Sequence, residues 1–173
     1  MGADLDIAPL DAAPETVAAL ADLLIETVAS GASVTFMHPL APEIAQCFWE
    51  SALAAAARGE RVVLGAREQA RLVATVTLSL DTPDNQQHRG EISKLMTALS
   101  HRRRGIARAL MLEAERIAAA RGRTLLTLDT AAEDGAAGFY ERLGYCRAGM
   151  IPDYAYKPLG GLVATILYYK RIA

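Results

Sequence analysis

The spacing of apolar and polar positions changes along the chain, and each change predicts an element. Over residues 14–29, Val17, Leu20, Leu24 and Val28 recur at intervals of three and four, which places them on one face of a helix. Pro14 suits the first turn of that helix, and Gly31 follows its end. A second helix is predicted over residues 42–57, with Ile44, Phe48 and Ala52 on one face and Gly59 as its stop. Residues 5–10, ahead of both, read as a short strand.

The period then drops to two. Residues 61–67 read as a strand. In residues 72–80, Leu72, Ala74, Val76, Leu78 and Leu80 alternate with Val73, Thr75, Thr77 and Ser79, and the link 68–71 has hairpin length. Residues 81–89 form a polar loop, and 91–97 the next strand. Helical spacing returns over 105–121, where Ile106, Leu110, Ala114, Ile117 and Ala118 share a face and Gly122 stands at the end. A strand over 124–130 and a short helix over 134–143, ended by Gly144, follow. The last two strands are expected over 145–151 and 165–171, separated by a long loop holding Pro152, Pro158, Gly160 and Gly161. This order implies one α/β (or α+β) domain over residues 1–173, without repeats or a linker.

Composition narrows the class. The 173 residues are 52% hydrophobic, enough for a core in one domain of that length. The net charge of −2 and a pI near 5.9 give no electrostatic case for nucleic acid or an anionic membrane as partner. No apolar run approaches the ~18 residues that span a bilayer. The start Met1-Gly2-Ala3-Asp4 lacks the basic and apolar regions of a secretion signal. Cys47 and Cys146 fit neither a zinc nor a redox spacing, so a reducing, cytoplasmic setting is expected. His38, His88 and His101 show no metal-ligand spacing, and no metal is expected. The oligomeric state is not legible.

The chemistry concentrates in residues 91–108, where a strand runs into a tight basic turn that opens a helix. The first turn of a helix carries free N–H groups and partial positive charge, and so accepts a phosphate. Gly105 and the small Ala107 let backbone approach such a group, and Arg102, Arg103, Arg104 and Arg108 add charged donors. Neither a P-loop nor a dinucleotide fingerprint is present. A solvated basic run is the alternative.

The run Arg102-Arg103-Arg104-Gly105-Ile106-Ala107 resembles the Arg/Gln-x-x-Gly-x-Gly/Ala signature of the GNAT N-acetyltransferase superfamily. Phe139-Tyr140-Glu141-Arg142-Leu143-Gly144-Tyr145 is similar to that family's later helix and its exit into a strand. The segments Leu23 to Val28, Gly31 to Val34, Phe36-Met37, Lys94-Leu95-Met96 and Leu128-Asp129-Thr130 further resemble the tabtoxin-resistance group of acetyltransferases. The resemblance implies a mixed, mostly antiparallel sheet with helices on both faces. It implies acetyl-CoA as cosubstrate, in a cleft where the strands 91–97 and 124–130 splay apart. Leu95, Met96 and Thr97 would pair with the pantetheine arm, and Arg102, Arg103, Arg104, Gly105, Ile106, Ala107 and Arg108 would hold the pyrophosphate.

Transfer would be direct, to the amine of a small molecule such as a β-lactam toxin or an amino-acid-like acceptor. The alternatives are acetylation of a protein N-terminus or lysine, and a non-catalytic acyl-CoA-binding module. Direct transfer needs an acid for the leaving thiolate and a base for the ammonium. Tyr140 stands at the family's tyrosine position and is the candidate acid. Glu91, 11 positions before Arg102, is the candidate base, and Asp129 on the neighbouring strand is a second carboxylate for the acceptor. A packing role for Tyr140, a pairing of Glu91 with Arg89 or Lys94, and a capping role for Asp129 are the alternatives. Phe36, Trp49 and Tyr154 are candidates to wall the acceptor pocket. One departure stands out: where many relatives place an asparagine seven residues before the tyrosine, this chain has Glu133.

Overall fold

Two helices with one apolar stripe each, a third helix and a run of alternating strands must all bury their apolar faces, and they do so on the two sides of one sheet. The computed structural model describes residues 5–133 and 135–172. Asp134, where the short helix was expected to start, and Met1 to Asp4 lie outside the described residues. The elements are β1 (Leu5–Pro9), α1 (Pro14–Ala29), α2 (Pro42–Ala57), β2 (Arg61–Glu68), β3 (Arg71–Ser79), β4 (Arg89–Thr97), α3 (Ile106–Ala120), β5 (Leu125–Ala131), α4 (Ala137–Arg142), β6 (Cys146–Tyr156) and β7 (Leu162–Arg171). Short 3-10 turns at Asp84–Gln86 and Leu99–His101 flank β4.

The seven strands lie in the order β1-β2-β3-β4-β5-β7-β6. Every neighbouring pair is antiparallel except β4 and β5, which run parallel with α3 as the crossover. On one face, α3 covers Val62, Leu64, Val76, Leu78, Leu126 and Leu128. On the other, α1 and α2 cover Val63, Leu72 and Met96, with Trp49 fully buried among them. β3, in the middle, is buried along nearly its whole length, so Thr75 is enclosed too and its hydroxyl donates to the Leu64 carbonyl at 2.7 Å.

Two local features shape the centre of the sheet. The β4–β5 ladder holds only for Arg89–Leu125, Gly90–Leu126 and Glu91–Thr127, after which the strands part. Gly90 sits at the closed end. A Cβ there would meet Leu78 Cδ1 at 3.0 Å, Leu126 Cδ2 at 3.2 Å and the Ser79 carbonyl at 3.3 Å. Further along β4, Ser93 pairs with Thr77 and Met96 with Thr75, so Lys94 and Leu95 together face one residue of β3. Lys94 carries the positive φ of 52° that this bulge needs. The bulge inverts the strand: Ile92 packs under α3, whereas Met96 packs under α1 and α2.

The long loop expected after residue 151 is a correction. β6 runs on through Pro152 to Tyr156 and β7 begins at Leu162, leaving a tight turn closed by the Lys157 N–H on the Gly161 carbonyl at 2.8 Å. Proline is tolerated there because β6 is the sheet edge and Pro152 falls in an irregularity between Ile151 and Ala155, beside Asp153 at φ 50°. Among the described residues, no helix is long and apolar enough to cross a membrane.

Candidate active site

Where β4 and β5 part, the molecule holds a cavity of about 980 Å³. Its walls come from the turn after β4, the end of β5, α4, the segment between α1 and α2, and the β6–β7 hairpin.

The basic turn is built by two left-handed residues. Arg103 has φ 62°, and Gly105, which caps α3, has φ 80°. The first helical bond of α3 runs from the Ala109 N–H to the Gly105 carbonyl at 3.1 Å. The N–H groups of Ile106, Ala107 and Arg108 therefore precede the helical ladder and are open to a ligand. A Cβ on Gly105 would meet nothing within 4 Å, so backbone is bare at this point of the wall. Leu95, Met96, Thr97, Arg102, Arg103, Gly105, Ile106, Ala107 and Arg108 all line the cavity.

Arg104 does not. Its guanidinium forks onto Glu68 at the end of β2, with Nη2 at 2.5 Å from Oε1 and Nη1 at 3.2 Å from Oε2, and His101 Nε2 lies 3.2 Å from the same Oε2. This clamp ties the turn to the sheet. The Arg104 guanidinium holds the Glu68 carboxyl below its usual range. A depressed carboxyl stabilises the fold above its unfolded pKa, and that contribution is lost as pH falls through the folded one. Glu68→Gln should accordingly melt below the wild type at neutral pH, and the gap should close below roughly pH 4. Thermal melts of both proteins across pH check this; a gap independent of pH would place the effect elsewhere.

At the other wall, Asp129 lines the cavity, and the Thr165 hydroxyl donates to its Oδ2 at 3.0 Å. Tyr140 lines it too, at 8% exposure, with its ring set among Phe139, Tyr145 and Tyr168 at centroid distances of 5.1, 6.0 and 5.8 Å. Burial, then the charge of Asp129 and the neighbouring Tyr168, push the Tyr140 phenol up to about 12. Glu91 is in register with Thr127, two residues before Asp129, so the two carboxylates stand on one face of the sheet. Glu91 is exposed, however, does not line the cavity, and lies 3.5 Å from Arg89 Nη1. Phe36 and Tyr154 line the cavity. Trp49 is wholly buried and backs the wall indirectly: its ring meets Phe48 edge-on at 5.0 Å, and Phe48 meets Phe36 edge-on at 5.2 Å. Glu133 lies off the cavity lining, paired with Lys157 at 2.7 Å.

The sequence reading singled out neither Lys94 nor Thr35 nor Thr165 as site residues, though all three line the cavity. Lys94 Nζ donates to Thr35 Oγ1 at 2.9 Å and lies 5.5 Å from the centre of the Phe48 ring. Thr35 itself has φ 74°.

Comparison with known proteins is consistent with this geometry. The sequence profile of the Acetyltransferase (GNAT) family matches residues 23–145. An N-acetyltransferase from Staphylococcus aureus Mu50 superposes with a TM-score of 0.82 at 18% identity, covering 98% of this chain and 99% of that one. The yncA protein of Salmonella typhimurium, solved with its cofactor acetyl-CoA, gives 0.81 at 16% identity over 98% and 94% of the two chains. A ribosomal-protein-alanine N-acetyltransferase from Brucella melitensis gives 0.81 at 19% identity over 96% and 99%.

Proposed function

Given that the chain belongs to the acetyltransferase (GNAT) family, we propose that it transfers the acetyl group of acetyl-CoA directly to the amine of a small molecule. The observation that carries this reading is one cavity joining an anion-binding helix start to a carboxylate and a protonated phenol.

The residues fit acetyl-CoA. The N–H groups of Ile106, Ala107 and Arg108, with the side chains of Arg102, Arg103 and Arg108, bind the pyrophosphate. Past Glu91, β4 has no ladder to β5, so the backbone of Leu95 to Thr97 is free to pair with the pantetheine arm. When bound, acetyl-CoA supplies a thioester carbonyl open to attack by an amine. A backbone N–H of β4 polarises that carbonyl as negative charge develops. Asp129, steadied by Thr165, holds the acceptor ammonium. Glu91, exposed on the same face of the sheet, takes the ammonium's proton through water. Tyr140 gives the proton of its hydroxyl to the leaving sulfur.

A small acceptor is favoured over a polypeptide because the two segments that wall the acceptor side are tied to each other. The His38 N–H donates to the Pro158 carbonyl at 3.0 Å and so ties the segment between α1 and α2 to the turn between β6 and β7. The Brucella protein bears the name of an enzyme acting on a ribosomal protein, so shared fold alone does not select the acceptor. The resemblance to tabtoxin-resistance enzymes supports a small molecule.

The test is thiol release from acetyl-CoA against a panel of small amines and of peptides, with acetylated products identified by mass. Small amines should be acetylated; products on peptides alone would overturn the reading. Asp129→Asn should raise KM for the amine roughly tenfold, the cost of about one charged hydrogen bond. Unchanged KM would return Asp129 to a capping role.

A further inference from the structure

Lys94 stands at the bulge of β4, on the wall of the cavity. The bulge in β4 turns its side chain to the face of α1 and α2, at a backbone φ of 52° that a residue with a side chain adopts at a cost. Its ammonium meets Thr35, which is also left-handed, so two strained residues hold each other across the cavity wall. The side chain is half-buried and its ammonium is held below the usual lysine range, chiefly by burial. Opposing that shift are the charges of Asp129 and Glu91, while Arg61 adds to it. The lysine ion pairs among the described residues are Lys157 with Glu133 and Lys170 with Glu115; Lys94 forms none.

A half-buried cation without an ion-pair partner calls for an anion. Lys94 has three N–H donors, and the bond to Thr35 uses one. Asp129 lines the same cavity, close enough for its charge to be felt at Lys94 yet not paired with it. A cation and an anion held apart on one cavity form the complement of a molecule that carries both charges. Phe36 and Tyr154 supply apolar surface beside them.

Resting on the acetyl-transfer reading above, we infer that the acceptor is a small zwitterion, an amino acid in the broad sense, whose carboxylate is bound by Lys94 while its ammonium faces Asp129. Lys94 is then a specificity residue: it orients the acceptor and takes no part in proton transfer.

The experiment compares kcat/KM for the free amino acids with that for their methyl esters and decarboxylated amines, in the wild type and in Lys94→Met, Lys94→Gln and Lys94→Arg. Calorimetric titration with CoA runs in parallel. The wild type should prefer the free acid by about tenfold, the worth of roughly one charged hydrogen bond. Lys94→Met and Lys94→Gln should lose that preference through a raised KM for the acid, with the ester little changed, and Lys94→Arg should keep part of it. CoA affinity should stay the same throughout. Equal use of acid and ester by the wild type, a preference that survives in Lys94→Met, or transfer to no amino acid despite intact CoA binding would each overturn the inference. Should Lys94→Met fail to fold, the wild-type ratio and the Lys94→Gln and Lys94→Arg proteins still decide it. Failure of the wild type to bind CoA would instead overturn the acetyl-transfer reading.

Discussion

Tyr140→Phe is expected to lower kcat by roughly 10²–10⁴-fold, the span of a positioned general acid, with CoA affinity nearly unchanged. The substitution removes one oxygen from a ring held by Phe139, Tyr145 and Tyr168, so the packing that places it survives. What is lost is the proton. With its phenol raised to about 12, Tyr140 stays protonated through neutral pH and always has a proton to give. The wild-type rate should thus show no alkaline limb from this tyrosine below roughly pH 11. Stopped-flow or steady-state thiol release, with CoA binding measured separately, checks both parts. Turnover close to wild type would mean that the thiolate takes its proton from water.

The second large effect is expected at Gly105. Valine there should weaken CoA binding roughly 100-fold, as the loss of one or two charge-assisted hydrogen bonds to phosphate would do. The added side chain would stand on bare backbone at the mouth of the phosphate cradle, with no protein atom within 4 Å. The folded state should suffer less, because the cost is conformational: φ is 80° and valine resists that region. A folded Gly105→Val protein that binds CoA as tightly as the wild type would detach the cofactor from this turn. Calorimetry and a thermal melt on the same sample separate the two effects.

These residues differ in how far the sequence alone exposes them. The helices were legible because their signals are local. Pro14 and Pro42 mark the starts, one apolar stripe follows each, and α1 and α2 have the expected bounds. The turn from Arg102 to Arg108 was legible for the same reason, since its glycine and its charges are contiguous. What could not be read depends on partners far along the chain. Arg104 turns from the cavity because Glu68, 36 residues earlier, claims it. Trp49 has the same helical spacing as a pocket aromatic, yet the packing of α2 on the sheet puts it behind Phe48. β6 was read over 145–151, and only its continuation hid behind Pro152, a residue that strands accept at an irregular edge. Lys94 was invisible because the extra residue in β4 is detectable only against β3.

That extra residue amounts to a half-period phase slip. The pleat of β4 before Ser93 and the pleat after Leu95 run out of step, so one strand answers to two different interiors. The first stretch is phased to the packing beneath α3, and the second to the packing beneath α1 and α2. The acceptor wall can therefore be re-tuned at Lys94, where the slip falls, without re-phasing Ile92 on one side of the sheet or Met96 on the other.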